Sequence, residues 1–112
     1  MERKLEFSTR TERDTVIVDV AGQIDLGTSP PMRKAALDAL KGTKRLAINL
    51  TRVKYIDSSG IASLLEVLKE GRTAGKRVML FGVTGSVLQV LQLTRLTGVF
   101  EILENEEKAL DA

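Results

Sequence analysis

The sequence predicts an α/β fold: a mostly parallel mixed sheet of about five strands, with an N-terminal antiparallel hairpin and three to four helices. Two observations support this class. From residue 15 onward, short β-branched or alternating apolar segments take turns with segments whose apolar residues repeat every three to four positions, as in successive βα units. Before that point a short polar link joins two strand-like segments, which favours an antiparallel pair.

The predicted strands are recognised by their apolar patterns. In the second strand Val16, Val18 and Val20 share one face, and their β-branched side chains strengthen the assignment. Asp19 lies on the opposite face, which indicates that this face of the sheet is partly solvated. The fourth strand is apolar throughout, as expected for a strand in the centre of a sheet. The predicted strands cover residues 3–9, 15–21, 45–50, 78–81 and 99–103.

The predicted helices follow from apolar stripes and from residues that start or stop a helix. In the second helix Ile61, Leu65 and Leu68 recur at helical spacing. Two prolines suit the first turn of the first helix, and Gly42 suits its end. Residues 22–27, with two glycines, are predicted to form a turn or irregular loop. We predict helices over about 28–42, 58–73 and 84–97, and a short helix or frayed tail at 106–110. Residues 101–111 are predicted to form a solvated acidic end.

Composition limits the classes of function. A length of 112 residues fits a single domain over 1–112. A net charge of +2 without a dense Lys/Arg run argues against direct DNA binding. No apolar run is long enough for membrane insertion, and the charged start is unlike a signal peptide, so a cytoplasmic location is expected.

The chain contains neither cysteine nor histidine. The absence of cysteine excludes disulfides, thiolate nucleophiles and Cys-based zinc sites. The absence of histidine removes the usual general base, the Ser-His-Asp triad and the commonest transition-metal ligand. A serine of this chain therefore has no imidazole to activate it. The sequence predicts a protein that is not an enzyme and needs no cofactor.

One stretch combines the features of a functional site. The Asp-Ser-Ser-Gly segment at 57–60 leaves the third strand and begins the second helix, and its first three residues are good helix-capping residues. The loop after the second strand carries Asp25. Sites in such folds lie at the carboxyl ends of the parallel strands. If the second and third strands are parallel, Asp25 and Ser58 lie at the same edge.

Four kinds of site are compared at this edge. A nucleotide-binding loop lacks both glycine signatures, and a serine hydrolase lacks the GxSxG elbow as well as histidine. A Mg²⁺ site between Asp25 and Asp57 is chemically reasonable, although such carboxylate pairs are common. In the fourth hypothesis Ser58 is a substrate for another protein's kinase. The simpler structural interpretations are an Asp25 bonded to local amides, a Ser58 that only caps the helix, a Ser59 that caps or hydrogen-bonds, and a Tyr55 that packs at a strand end.

Three segments resemble a known family. Residues 55–61 (YIDSSGI), with 22–25 (GQID) upstream, resemble the STAS domain of bacterial anti-sigma factor antagonists. Residues 93–102 (LTRLTGVFEI) are similar to that family's third helix and last strand. The resemblance covers nearly the whole chain, and the Asp-Ser-Ser/Thr-Gly tetrapeptide is its most specific part. Where the family usually has Leu-Gly after this tetrapeptide, the chain has Ile61 and Ala62, which keeps a small residue.

The resemblance implies partner switching. In such proteins the first hydroxyl residue after the Asp, here Ser58, is phosphorylated by the anti-sigma factor, a GHKL-type serine kinase. The unphosphorylated antagonist binds this kinase and frees the sigma factor. A PP2C-type phosphatase, which carries its own metal, removes the phosphate. We expect a monomer or a weak dimer.

The resemblance also implies which residues contact the partner. Asp25 and Asp57 match the acidic positions beside the phosphorylation site. The implied interface comprises Gly22, Asp25, Asp57, Ser59, Gly60 and Ile61. An alternative within the same fold is a STAS subunit of another assembly, such as a lipid-transport ABC complex or a stressosome-like scaffold.

Overall fold

A computed structural model describes residues 5–112 of the protein. In chain order its elements are β1 (Leu5–Glu12), β2 (Thr15–Ile24), α1 (Ser29–Lys41), β3 (Arg45–Ile56), α2 (Ser58–Thr73), β4 (Arg77–Phe81), α3 (Gly85–Leu93), β5 (Glu101–Leu103) and α4 (Glu106–Asp111). The strands form a sheet in the order β1-β2-β3-β4-β5, in which β1 is antiparallel to β2 and the later neighbours are parallel. The predicted α/β class and hairpin are confirmed. Positions 3 and 4 of the predicted first strand lie outside the described residues.

One face of the sheet carries the main hydrophobic core. Val18 and Val20 of β2 and Ile48 of β3 are buried there, as the alternation in their strands predicts. Helices α1, α2 and α3 cover this face with apolar side chains such as Met32 and Leu64. Within residues 5–112, no helix combines the length and apolar character that crossing a membrane requires.

The opposite face carries a second, smaller core beneath α4. Ala109 is fully buried and packs against Ile17, Ala47 and Met79. The prediction that residues 101–111 form a solvated acidic end is therefore wrong for α4. The segment is too short and too acidic to give a periodic apolar signal, whereas its contact with the sheet buries the small side chain that it offers.

A polar network joins α4 to the hairpin. Arg10 of β1 donates hydrogen bonds to Asp19 of β2 (Nε to Oδ2, 2.7 Å) and to Glu106 of α4. The amide of Asn49 also donates to Asp19 (2.8 Å). The hydrogen bond from Arg10 holds the pKa of the Asp19 carboxyl below its usual range, so this carboxylate is an ionised acceptor in the middle of a sheet face.

Strands β2 and β3 extend further than their alternation predicts. Residues 22 and 23, predicted as loop, still pair with β3. From Asp19 to Ala21 the pairing on β3 advances from Asn49 to Arg52, so β3 contains one extra residue there, and a second irregularity lies opposite residues 22 and 23. Such bulges interrupt the period of two, which explains why the prediction ended β3 at residue 50. They carry both strands to the edge where the candidate site lies.

The third helix is shorter than predicted. It ends at Leu93, because Arg95 adopts a left-handed backbone conformation (φ 60°) that no helix continues through. Thr84 occupies the N-cap position but makes no side-chain cap bond. The hydroxyl of Ser86 donates instead to the carbonyl oxygen of Lys54 (2.6 Å), which joins the start of α3 to the end of β3.

Candidate functional site

Helix α2 begins immediately after β3, and Asp57 is its N-cap. The Oδ1 atom of Asp57 accepts hydrogen bonds from the backbone amides of Ser59 (2.9 Å) and Gly60 (3.1 Å). These are two of the amides that the first turn of a helix leaves without an intrahelical partner. Of the three capping residues in this stretch, the structure therefore selects Asp57, and the interpretation of Ser58 as a plain N-cap is wrong.

The two serines of the turn have different environments. Ser58 is exposed, and among residues 5–112 no group hydrogen-bonds its hydroxyl. Ser59 is half-buried, and its hydroxyl donates to Oδ1 of Asp57 (2.5 Å). Ser59 is thus the predicted hydrogen-bond partner of the cap, while the hydroxyl of Ser58 remains open to a reagent from outside.

The pKa of the Asp57 carboxyl lies below its usual range. The main cause is the hydrogen bond from the Ser59 hydroxyl, and the amides of Gly60, Ser59 and Leu26 add to it, against the opposing effect of burial. Asp57 is consequently a carboxylate at neutral pH and a weak base. It accepts hydrogen bonds that stabilise the turn at the start of α2.

Asp25 lies at the end of β2, in the turn that leads to α1. Its Oδ1 atom accepts from the amides of Gly27 (3.0 Å) and Thr28 (3.1 Å), as in an Asx turn. The interpretation of Asp25 as a loop carboxylate bonded to local amides is therefore confirmed. Because β2 and β3 are parallel and the amide of Asp57 donates to the carbonyl of Ile24 (3.1 Å), both turns lie at the same edge of the sheet, as predicted.

The predicted interface positions Gly22, Gly60 and Ile61 have clear roles within the fold. A Cβ atom on Gly60 would lie 2.6 Å from side-chain carbons of Ile24 and Ile56, so only glycine lets α2 approach the sheet this closely. Ile61 is buried in the core. Gly22 has a φ of 111° beside the second irregularity of the β2–β3 pair. Whether these three residues also contact a partner stays a prediction.

Two exposed apolar side chains near the site escaped the sequence interpretation. Leu26, in the turn after Asp25, is 77% exposed, and Tyr55, predicted to pack at a strand end, is 46% exposed. The buried residues Val53 and Ile56 are three positions apart, whereas strict alternation would place them two or four apart. This break in the alternation indicates that Tyr55, which lies between them, is exposed. The sequence around Leu26, which lies between Asp25 and Gly27, has no comparable pattern that would indicate its exposure.

The Mg²⁺ alternative has no third carboxylate beside Asp25 and Asp57 in the part of the chain that the structure describes. Among residues 5–112, no three acidic side chains lie close enough together to hold a metal ion. The Oδ1 atoms of both Asp25 and Asp57 already accept from backbone amides. These two carboxylates therefore stabilise the two turns at this edge of the sheet.

Comparisons with known proteins agree with this geometry. Residues 6–109 match the family model of the STAS domain. The anti-sigma-B factor antagonist of Listeria monocytogenes is 34% identical over 94 residues, which are 81% of this chain and 82% of that protein.

Two solved structures share the fold. The phosphorylated form of the Bacillus cell fate determinant SpoIIAA superposes with a TM-score of 0.71 at 24% identity, over 95% of this chain and 97% of that chain. An anti-sigma factor antagonist from Mycobacterium paratuberculosis superposes with a TM-score of 0.80 at 20% identity, over 96% and 92%. The chain belongs to the STAS domain family.

Proposed function

We propose that this protein is an anti-sigma factor antagonist whose unphosphorylated form binds an anti-sigma factor of the GHKL serine kinase type and so releases a sigma factor. Phosphorylation of Ser58 ends this binding. The observation that carries the proposal is the contrast between the two serines of the turn: the hydroxyl of Ser58 is exposed and unbonded within the described residues, whereas that of Ser59 is bonded to Asp57. The relative from Listeria monocytogenes, named an anti-sigma-B factor antagonist, supports it.

In this proposal Ser58 is the substrate of phosphoryl transfer. Its oxygen attacks the γ-phosphorus of ATP held by the kinase, the bond from that phosphorus to the bridging oxygen of ADP breaks, and ADP leaves. The hydroxyl proton passes to a base of the kinase, because the chain has no histidine and the Asp57 carboxylate is a weak base. The solved phosphorylated form of SpoIIAA supports a phosphorylatable site on this fold.

The phosphate acts on the binding surface and leaves the fold intact. A phosphoserine carries a charge of about −1.5 to −2. At the N-terminus of α2, a helix of 16 residues, the helix dipole favours this charge. The carboxylate of Asp57 lies in the adjacent residue, and Asp25 lies at the same edge. The local negative charge therefore grows strongly at a surface that the kinase approaches, and binding weakens there.

The remaining parts of the switch follow from the same proposal. A PP2C-type phosphatase with its own metal removes the phosphate and restores the binding form. The protein acts in the cytoplasm as one domain, as a monomer or weak dimer, and influences transcription through its partner without contacting DNA. Gly22, Asp25, Asp57, Ser59, Gly60 and Ile61 form or support the surface that the kinase contacts.

The test is phosphorylation of the purified protein by each GHKL-type kinase from the same genome, with ATP and Mg²⁺, followed by intact-mass and peptide mass spectrometry. We expect one phosphate, on Ser58. Ser58→Ala should accept none, and Ser59→Ala should still be modified at Ser58. A phosphate on another residue, or no phosphate with any of these kinases, would contradict the proposal.

A further inference from the structure

The turn between β2 and α1 holds a large apolar side chain in water beside the proposed phosphorylation site. Leu26 is 77% exposed. The turn around it is well ordered by hydrogen bonds: Asp25 accepts from the amides of Gly27 and Thr28, and the hydroxyl of Thr28 donates to the carbonyl of Gln23 (2.8 Å). The backbone of Leu26 is therefore held in place while its side chain points outward.

Asp57 couples this turn to the start of α2. The backbone amide of Asp57 donates to the carbonyl of Ile24 (3.1 Å). Its carboxylate caps α2 by accepting from the amides of Ser59 and Gly60. Asp57 thus joins the end of β2, two residues before Leu26, to the start of α2, where Ser58 is the next residue in the chain.

Exposed apolar side chains of this size mark interaction surfaces when they cluster at a site. Among the described residues, the large hydrophobic side chains that are exposed are Phe7, Leu26, Tyr55 and Leu93. Leu26 and Tyr55 lie on the two chain segments that meet at Asp57, one in the turn after β2 and the other at the end of β3. Both exposed apolar side chains therefore belong to the segments that lead to the edge where Ser58 lies.

We propose that Leu26 is an apolar anchor that enters a hydrophobic pocket of the kinase next to its phosphoryl-transfer site. This inference rests on the proposed function and names the contact that gives it affinity. A preorganised anchor binds without the entropic cost of ordering a loop. Because Leu26 lies outside α2, its contact adds to whatever α2 contributes, and it selects for kinases that carry a matching pocket.

The expected effect on affinity is large. Complete burial of a leucine side chain is worth about ten- to a hundredfold in a binding constant. Leu26→Ser should therefore raise the Kd for the kinase by about tenfold or more. The KM for phosphorylation should rise by a similar factor while kcat stays unchanged, because the anchor binds the ground state and the transition state alike.

The experiment measures binding by isothermal titration calorimetry with the kinase that phosphorylates Ser58. Leu93→Ser is the matched control, since Leu93 is 84% exposed and is the last residue of α3, an element that does not include the turn. Leu26→Met tests whether another apolar side chain restores affinity. We expect Leu26→Ser to bind weakly, Leu26→Met and Leu93→Ser to bind like wild type, and the thermal unfolding of all three to match wild type.

The outcomes separate the two proposals. Wild-type affinity in Leu26→Ser would contradict the proposal that Leu26 is an anchor, and it would not affect the proposed function. Equal losses in Leu26→Ser and Leu93→Ser would also contradict the proposed anchor, because the effect would not be specific to this turn. If wild type binds none of the kinases, the proposed function fails and the anchor fails with it.

Discussion

The two turns at the site edge use the same residue types in different ways. Each follows a parallel strand, contains an aspartate that accepts from backbone amides, and leads into a helix whose first residue is a serine. At the first turn Asp25 lies four residues before that serine, and Ser29 is buried (3% exposed). At the second turn Asp57 is itself the N-cap, and Ser58 is exposed.

The difference shows how position, more than residue type, makes a hydroxyl available. Pro30 and Pro31 follow Ser29, so the first turn of α1 lacks two amide donors that an anion could use. Helix α2 has no proline in its first turn. Of these two turns, only the second presents an exposed serine hydroxyl at a helix N-terminus whose first turn contains no proline. The following predictions test this contrast, from the largest expected effect to the smallest.

Phosphorylation of Ser58 should weaken kinase binding by about 2 kcal/mol or more, roughly thirtyfold, which is the scale of an interface hot spot. The melting temperature should stay nearly unchanged, because the helix dipole favours the added charge. Titration calorimetry and differential scanning calorimetry of the phosphorylated protein measure both quantities, and Ser29 should remain unmodified. A Ser58→Asp variant that melts far below wild type would contradict this prediction.

Gly60→Ala should lower the free energy of unfolding by about 2 kcal/mol, because the added methyl group overlaps Ile24 and Ile56 at 2.6 Å and the core must shift. Gly27→Ala at the other turn is the matched control. Its Cβ would meet only Oδ1 of Asp25 at 3.5 Å, an ordinary contact. Urea denaturation measures both variants, and equal losses would show that close packing does not distinguish the two turns.

Asp57→Ala should lower the free energy of unfolding by about 1 kcal/mol, the usual effect of removing an N-cap side chain. Thr84→Ala is the control, since Thr84 holds the same position in α3 without a side-chain cap bond. The control should change stability by less than about 0.5 kcal/mol. If both variants lose the same amount in chemical denaturation, the hydrogen bonds of Asp57 are not what stabilises the start of α2.

The cost of Asp57→Ala should depend on pH. The pKa of Asp57 is lowered in the folded protein, chiefly by Ser59, so its stabilising effect is fully present above the ordinary carboxyl pKa of about 3.9. The effect is lost as the pH falls through the lowered folded value. The difference in unfolding free energy between wild type and variant should be constant from about pH 5 to 8 and shrink below about pH 4. A difference in unfolding free energy that stays constant down to pH 3 would show that the ionised Asp57 carboxylate is not its cause.

Ser63→Ala should raise the free energy of unfolding by about 0.5–1 kcal/mol. Ser63 lies one turn after Ser59 but is buried, and within the described residues its hydroxyl has no hydrogen-bond partner. Replacing an unsatisfied buried hydroxyl with a methyl group removes its desolvation cost. Ser59→Ala should instead be neutral or destabilising, because it removes the bond to Asp57. A clear loss of stability in Ser63→Ala would point to an unrecognised partner for that hydroxyl.

The sequence by itself determined the α/β class and the bounds of α2, and it located the stretch proposed as the site. These features depend on local patterns: an unbroken apolar stripe from Ile61 onward, alternation within β2, and capping residues directly after a strand. The absence of histidine and cysteine favoured the prediction that Ser58 is a substrate and not a nucleophile, and this prediction too needed no structure.

The tertiary structure decided which capping residue caps, which serine is exposed, and what surrounds them. Asp57 is the N-cap of α2, and Gly60 lets the start of this helix pack closely against Ile24 of β2 and Ile56 of β3. The bulges in β3, the burial of Ala109 and the exposure of Leu26 likewise arise from pairing and packing between distant segments. Local residue patterns contain no information about those long-range contacts.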